Sequence, residues 1–177
     1  MPERRGQLIA PPQERTNHMT TVENPYEKVR RKLVASRIEF MGQLAKFSKE
    51  ELRARPGDDE WSPLEIANHL YITDGLALRE MQRVQDEDNP LMEALDEEGP
   101  RQTRASGPPA SLEAVLAGMA ARREEIFEYL ASLPVEAWQR PVRHHTWGQL
   151  KFYQLVNVIP QHDLLHAQQL AKIRGEA

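Results

Sequence analysis

The sequence of 177 residues contains no cysteine. This absence excludes disulfides, thiolate nucleophiles and cysteine-ligated zinc, so a bound metal would have to take histidine, carboxylate or solvent ligands. No apolar run approaches the ~20 residues of a membrane span. Arg4 and Arg5 near the N-terminus are not followed by the apolar segment of a signal peptide. We therefore expect a cytoplasmic protein with no membrane partner.

Clusters of basic residues are also missing. The net charge of -4 at pH 7 and a pI near 5.9 argue against a surface for nucleic acid or anionic lipid. A glycine-rich phosphate loop, an internal repeat and strand-like alternation are absent as well. The length suffices for one domain with a substantial core. We predict an all-α protein.

The first 24 residues differ in composition from the rest of the chain. They are rich in Pro, Arg, Gln and Thr and show no hydrophobic periodicity, which predicts a disordered or loosely attached arm over residues 1–24. The folded domain is expected over residues 25–177. Met19 is an alternative start, because every assignable element lies after it.

Helical periodicity and start signals predict four long helices. The clearest start is at Ser62, an N-cap followed by Pro63 and, as the partner in a capping box, Glu65. Pro160 should kink the fourth helix. The predicted ranges are Asn24 to about Phe47, Ser62 to about Gln85, Ser111 to Leu133, and about Gly148 to Ile173.

Residues 86–110 separate the second and third helices. This segment contains several Gly-Pro and Asn-Pro pairs among many charges, which predicts a long crossover with at most a helical turn near Leu91–Leu95. It is long enough to return along a whole helix, so helices two and three could run parallel.

Two histidines in the fourth helix carry the strongest chemical signal. His162 and His166 are four residues apart, so they lie on one face of the helix. They continue an apolar stripe through Ile159 and Leu170, which turns them toward the core. A histidine on such a stripe is more often a hydrogen-bonded core residue than a ligand. The spacing nevertheless allows both imidazoles to reach one metal ion.

His69 is the candidate for a third ligand. It lies seven residues after Ser62, ~10 Å into helix two, and His166 lies seven residues before Ile173, at a similar depth of ~10 Å in helix four. If these helices are antiparallel neighbours, the three imidazoles converge. His144 and His145 fall in a loop and are rim candidates at most.

Three imidazoles would leave an open coordination position, as in catalytic zinc sites, although nickel and ferrous iron also suit this ligand set. Asp163, Gln169 and Glu65 are near enough in sequence to orient the rings from a second shell. Each is more often a surface residue. Arg122 or Arg123 in helix three is either a structural ion pair or an anchor for a ligand carboxylate.

Two segments resemble the DinB-like superfamily of damage-inducible bacterial proteins. Residues 61–70, WSPLEIANHL, resemble its W-S-x-x-E-[IV]-x-x-H-L motif, and residues 162–169, HDLLHAQQ, resemble its H-D-x-x-H-x-x-Q motif. The likeness extends over most of residues 25–173. Pro160 departs from the family pattern, in which an ordinary helical residue is usual.

The resemblance implies a four-helix bundle with up-down-down-up connectivity and a divalent metal held by His69, His162 and His166. It further implies homodimers and reactions known among relatives: S-transfer with bacillithiol, mycothiol or glutathione, maleylpyruvate isomerisation with mycothiol, or metal-dependent hydrolysis.

From these features we predict a metal-dependent enzyme acting on a small molecule. The first hypothesis is a thiol S-transferase that adds a low-molecular-weight thiol to an electrophile in stress or detoxification. One alternative is a hydrolase that uses a metal-bound hydroxide. The other is a non-enzymatic helical stress or interaction module whose histidines are packed and metal-free.

Overall fold

The first helices begin where local capping signals place them. The computed structural model describes residues 23–92 and 95–176, so Met19 and almost all of the predicted arm lie outside the described residues. Helix α1 spans Pro25–Leu44, and the Asn24 side chain accepts a hydrogen bond of 2.9 Å from the Tyr26 N–H. A short helix α2 spans Lys49–Arg53. Helix α3 spans Pro63–Asp86 and begins with the predicted capping box.

The remaining elements follow in chain order. They are strand β1 (Leu91–Met92), helix α4 (Leu95–Ser106), helix α5 (Leu112–Ser132), a 3-10 helix (Val135–Gln139), strands β2 (Pro141–His144) and β3 (Gly148–Lys151), and helices α6 (Phe152–Val156) and α7 (Val158–Ile173). Within the described ranges no helix is both long enough and apolar enough to cross a membrane.

Contacts between the long helices give their directions. Lys32 on α1 bonds to Asn157 before α7, and Lys46 after α1 bonds to Glu176 after α7, so α1 and α7 are parallel. The Tyr129 hydroxyl on α5 donates to the carbonyl of Met81 on α3. A Cβ added at Gly118, earlier on α5, would contact Tyr71, earlier on α3, so these two helices are also parallel. Helices α3 and α7 run antiparallel, because His69 contacts His162 and Ala77 shares a cavity wall with Ile159. The predicted up-down-down-up four-helix bundle is confirmed.

The crossover contains more structure than the sequence indicates. Where at most a helical turn near Leu91–Leu95 is predicted, the chain forms β1 and then the twelve-residue helix α4, with Pro100 inside it. The predicted long crossover is confirmed, but it contains a longer helix than the turn expected from the sequence. The adjacent Gly99 and Pro100 are typical of loops, but packing against α3 stabilises the helix, since most helical stability in proteins comes from tertiary contacts.

The predicted fourth helix is shorter than expected and interrupted. Residues 148–151 form β3, which pairs antiparallel with β2, while β2 pairs parallel with β1. These strands of two and four residues are too short to produce a recognisable alternation. The helix breaks at Asn157, between α6 and α7. The break corresponds to the predicted kink. It is explained by Pro160, which has no N–H to donate to the carbonyl of Val156.

Buried apolar side chains form two clusters along the bundle. The first contains Leu33, Met81, Ile126, Trp138 and Phe152. The second contains Phe40, Leu70, Met119, Ala167 and Leu170. On each long helix, the residues between these two sets include a buried or half-buried charged side chain.

Those side chains are Arg37 on α1, Asp74 on α3, Arg123 on α5 and Asp163 on α7, and together they form the ion cluster. Arg37 Nη2 lies 2.9 Å from both Asp74 Oδ2 and Asp163 Oδ1. Arg123 Nη2 lies 3.1 Å from both Asp74 Oδ2 and Asp163 Oδ2. The Ser36 hydroxyl donates a further hydrogen bond of 3.1 Å to Asp163. Two positive and two negative charges thus compensate each other, with one contributed by each of the four long helices.

We predict that the substitution Asp163→Asn lowers the free energy of unfolding by about 3–5 kcal/mol, because it leaves two buried guanidinium groups with one carboxylate. Urea unfolding of chelator-treated protein at neutral pH measures the change. Glu125→Gln is the control, since Glu125 pairs with Arg122 and is 52% exposed, and it should cost about 1 kcal/mol or less. Equal losses in the two variants would show that the ion cluster contributes nothing beyond a surface pair.

Candidate metal centre

Three imidazoles meet between helices α3 and α7. The ring centroids of His69 and His162 are 5.1 Å apart, those of His69 and His166 are 5.0 Å apart, and those of His162 and His166 are 4.5 Å apart. The ligand atoms of all three lie within 4.8 Å of one another. The antiparallel arrangement of α3 and α7 brings His69 next to His162, which is 93 positions away in the chain.

All three imidazoles direct their Nε2 atoms toward one another. His162 Nε2 lies 3.3 Å from His69 Nε2 and 2.9 Å from His166 Nε2. Nitrogen atoms bound to one tetrahedral ion at ~2.0–2.1 Å are about 3.3 Å apart. The separations of 3.3 Å and 2.9 Å from His162 Nε2 are close to the spacing that a small divalent cation requires.

A hydroxyl group on the crossover helix orients His69. The Thr103 hydroxyl donates to the Gly99 carbonyl at 2.8 Å, so its oxygen accepts the hydrogen bond of 2.9 Å from His69 Nδ1. A Cβ at Gly99 would lie 2.6 Å from Cγ2 of Thr73 and 3.2 Å from Cε1 of His69. Glycine at this position therefore allows α4 to approach His69 closely enough for the Thr103 contact.

His166 is oriented from its own helix. Its Nδ1 lies 2.7 Å from the amide oxygen of Gln169, which can only accept a hydrogen bond. Because His69 and His166 both donate from Nδ1, the neutral rings carry lone pairs on Nε2. Two of the three Nε2 atoms thus present lone pairs to the shared centre, as in metal-binding histidines whose other ring nitrogen donates to a protein acceptor.

Burial keeps these rings neutral. His69 is 3% exposed, and burial, aided by the neighbouring His162 and His166, lowers the pKa of His69 to about 3. Burial also lowers the pKa of His166, although Gln169 and Asp163 oppose the shift. Neutral imidazole is the form that binds metal, so the site does not need to lose protons from these two rings at pH 7.

The other two residues expected to orient the rings, Glu65 and Asp163, bond to groups outside the triad. Glu65 closes the capping box with Ser62 and pairs with Arg55. This contact with Arg55 holds the pKa of Glu65 below its usual value, with a further contribution from Ser62. Asp163 directs its carboxylate to the ion cluster, although it follows His162 directly in sequence. Of the three residues predicted to orient the rings, Gln169 is the one whose side chain is hydrogen-bonded to an imidazole of the triad.

The two candidate anchor residues differ in environment. Arg123 is buried and belongs to the ion cluster, which supports the ion-pair interpretation and leaves the guanidinium engaged by Asp74 and Asp163. Arg122 pairs with Glu125 near the surface and lies over the Tyr71 ring. Neither arginine lines the cavity beside the imidazoles.

The loop histidines are separate from the triad. His144 Nδ1 accepts hydrogen bonds from the backbone N–H groups of Thr146 and Trp147, and its ring stacks on Trp147 with centroids 4.1 Å apart. His144 therefore orders the turn between β2 and β3. Neither it nor His145 lines the cavity beside the triad, which agrees with the weak expectation that the sequence gives for these two residues.

Sequence reasoning missed two residues that contact His69. One is Thr103, because α4 was not predicted. The other is Trp61, whose ring lies 4.8 Å from the His69 ring. Trp61 precedes the Ser62 cap, and its spacing of eight residues from His69 places both near the start of α3.

Comparison with known proteins identifies relatives of the chain. A family model described as the DinB superfamily matches residues 32–170. YuaE of Bacillus subtilis (strain 168), described as an uncharacterized protein, is 28% identical over an alignment of 150 residues that covers 78% of this chain and 93% of YuaE.

Two solved structures have a similar fold. YfiT from Bacillus subtilis, described as a probable metal-dependent hydrolase with an unusual four-helix bundle topology, matches with a TM-score of 0.66 and 16% identity over 95% of each chain. TT2238, described as a four-helix bundle protein, matches with a TM-score of 0.60 and 21% identity over 83% of this chain and 98% of that one.

Proposed function

Because the chain belongs to the DinB superfamily, we propose that it is a metal-dependent enzyme in which His69, His162 and His166 hold one divalent cation. The observation that carries this proposal is the convergence of three Nε2 atoms, two of them with lone pairs set by hydrogen bonds at Nδ1. The ligand set suits zinc, and it also accepts nickel or ferrous iron.

Hydrolysis of a small ester or amide is the reaction that these residues support best. A bound cation would act as a Lewis acid and would make a coordinated water acidic near neutral pH. The chain provides three imidazoles, of which His69 and His166 are kept neutral by burial, and an adjoining cavity of about 310 Å³. The similar structure YfiT is described as a probable metal-dependent hydrolase.

Thiol S-transfer, the first hypothesis from the sequence, is the second candidate. The same three imidazoles with an open position would suit a thiolate of bacillithiol, mycothiol or glutathione. That hypothesis used Arg122 or Arg123 to bind a carboxylate of the thiol. Since Arg123 is held in the ion cluster and Arg122 pairs with Glu125, we place hydrolysis first.

Several expectations from the sequence stay predictions. They are a small-molecule substrate, a homodimer, no nucleic-acid or membrane partner, a cytoplasmic location, and the division into an arm over residues 1–24 and one domain over residues 25–177.

Metal content tests the proposed site directly. After loading with zinc and dialysis, we expect about one ion per chain, since catalytic zinc sites hold one ion on three protein ligands. The His166→Ala variant should lose the ion, because two imidazoles remain. The elemental analysis should be repeated with nickel and ferrous iron. A folded wild-type protein that retains no metal, or a His166→Ala variant that retains it, would support the non-enzymatic module.

The hydrogen bond that His69 Nδ1 donates to Thr103 should strengthen metal binding. We expect Thr103→Val, which replaces the hydroxyl by a methyl group, to lower metal affinity by about 10–100-fold, because it removes the acceptor that holds the His69 ring. Competition with a chromophoric chelator measures the affinity. Thr103→Ser is the matched control and should bind nearly as the wild type does. A Thr103→Val protein with unchanged affinity would show that α4 does not tune the site.

A paired assay separates the two candidate reactions. The metal-loaded protein is offered a panel of aryl esters and anilides, and separately glutathione, bacillithiol or mycothiol with a chlorinated aromatic electrophile. We expect ester hydrolysis about tenfold or more above that of His166→Ala, since activity should require the metal. If product forms only with thiol and no ester or anilide is hydrolysed, thiol S-transfer replaces hydrolysis as the proposed reaction.

A further inference from the structure

The cavity beside the imidazoles is small and its walls are mostly apolar. Its volume of about 310 Å³ corresponds to roughly ten water molecules at ~30 Å³ each. That is at the lower end of the volumes of small-molecule sites. Beyond the imidazoles, Thr73 and Asp74, it is lined by six apolar side chains: Trp61, Ala77, Pro100, Val158, Ile159 and Leu165.

The one carboxylate in the wall is already compensated. Asp74 is 3% exposed, and its carboxylate lies 2.9 Å from Arg37 Nη2 and 3.1 Å from Arg123 Nη2. Both guanidinium groups also bond to Asp163. The ion cluster as a whole is neutral, so it offers no unpaired charge to a ligand.

A cation that could bind a second anionic group is missing from the walls. Among the described residues, neither lysine nor arginine lines the cavity. Arg104 approaches from outside, with its guanidinium carbon 5.9 Å from the centre of the Trp61 ring, but it is exposed and is not part of the wall. A carboxylate or phosphate placed in this cavity away from the imidazoles would lose its hydration without gaining an ion pair.

The mouth of the cavity is apolar as well. Leu165 is 59% exposed although it lies on the cavity wall, which places an apolar side chain where solvent enters. Trp61 is half-buried and packs against His69. An aromatic ring at such a position provides a large apolar contact surface for a ligand at a low cost in side-chain entropy.

From this lining we infer that the cavity binds the uncharged, apolar part of a small substrate, such as an aryl or branched alkyl group, with the reacting group beside the imidazoles. This inference rests on the proposed metal-dependent function. It narrows the substrate to compounds whose nonreacting end is neither carboxylated nor phosphorylated.

Hydroxamates test the inference by binding and do not require turnover, because the hydroxamate group chelates metal and the remainder of the probe can be varied. Zinc-loaded protein is titrated by calorimetry with acetohydroxamate, benzohydroxamate and 4-carboxybenzohydroxamate. We expect benzohydroxamate to bind about tenfold or more tightly than acetohydroxamate, since its ring buries apolar area. 4-Carboxybenzohydroxamate should bind about tenfold or more weakly than benzohydroxamate, because its carboxylate loses hydration in the cavity.

Two neighbouring leucines on α7 provide a matched pair of variants. Leu165 lines the cavity, whereas Leu164, which is 42% exposed, lines a separate groove between α1 and α7. Leu165→Asp should lower the affinity for benzohydroxamate about tenfold, because it places a charge at the apolar mouth. The affinity for acetohydroxamate should stay nearly unchanged. Leu164→Asp should change neither affinity.

The outcomes separate this inference from the function on which it rests. If the wild-type protein retains none of zinc, nickel and ferrous iron, the proposed function fails and this inference fails with it. If zinc is retained but 4-carboxybenzohydroxamate binds as tightly as benzohydroxamate, this inference alone is wrong. Equal effects of Leu164→Asp and Leu165→Asp on benzohydroxamate would also overturn it.

Discussion

The ion cluster is the interaction on which the arrangement of the bundle depends. Arg37, Asp74, Arg123 and Asp163 come from the four long helices and lie between two apolar clusters. In this dry interior each charge requires its partners, because an unpaired ion would be strongly destabilising. An axial shift of any one helix would separate opposite charges. We therefore infer that the ion cluster fixes the axial register of the four long helices.

The same register assembles the histidine site. Asp163 follows His162 on α7, and Asp74 lies five residues after His69 on α3, so the contacts that align these helices also align the imidazoles. A parallel pair, α3 and α5, requires a long connection, and α4 in that connection packs on His69 through Thr103. The crossover that the topology demands thus also orients one of the three rings.

Among the described residues, the histidine site is surrounded by groups that carry no uncompensated charge. Burial keeps His69 and His166 neutral, the ion cluster compensates its own charges, and the cavity wall is mostly apolar. A divalent cation would therefore be the dominant charge at this site, and its effect would be strengthened by the low local dielectric. This environment favours a reaction whose developing negative charge lies next to the cation, on a substrate that is otherwise uncharged.

Much of the fold and the three histidines could be predicted from the sequence, because the signals are local: a capping box at Ser62, helical periodicity, and two histidines one turn apart. The partners in the ion cluster could not, since Arg37 and Asp163 resemble solvent-exposed helical residues until the helices are paired. Helix α4 and its Thr103 were missed for the same reason, because Gly99 and Pro100 favour a loop locally. Amino-acid order determined where helices start and which face is apolar. Tertiary packing decided which charges meet, which hydroxyl reaches His69, and what surrounds the site, because these depend on the distance and height of segments far apart in the chain.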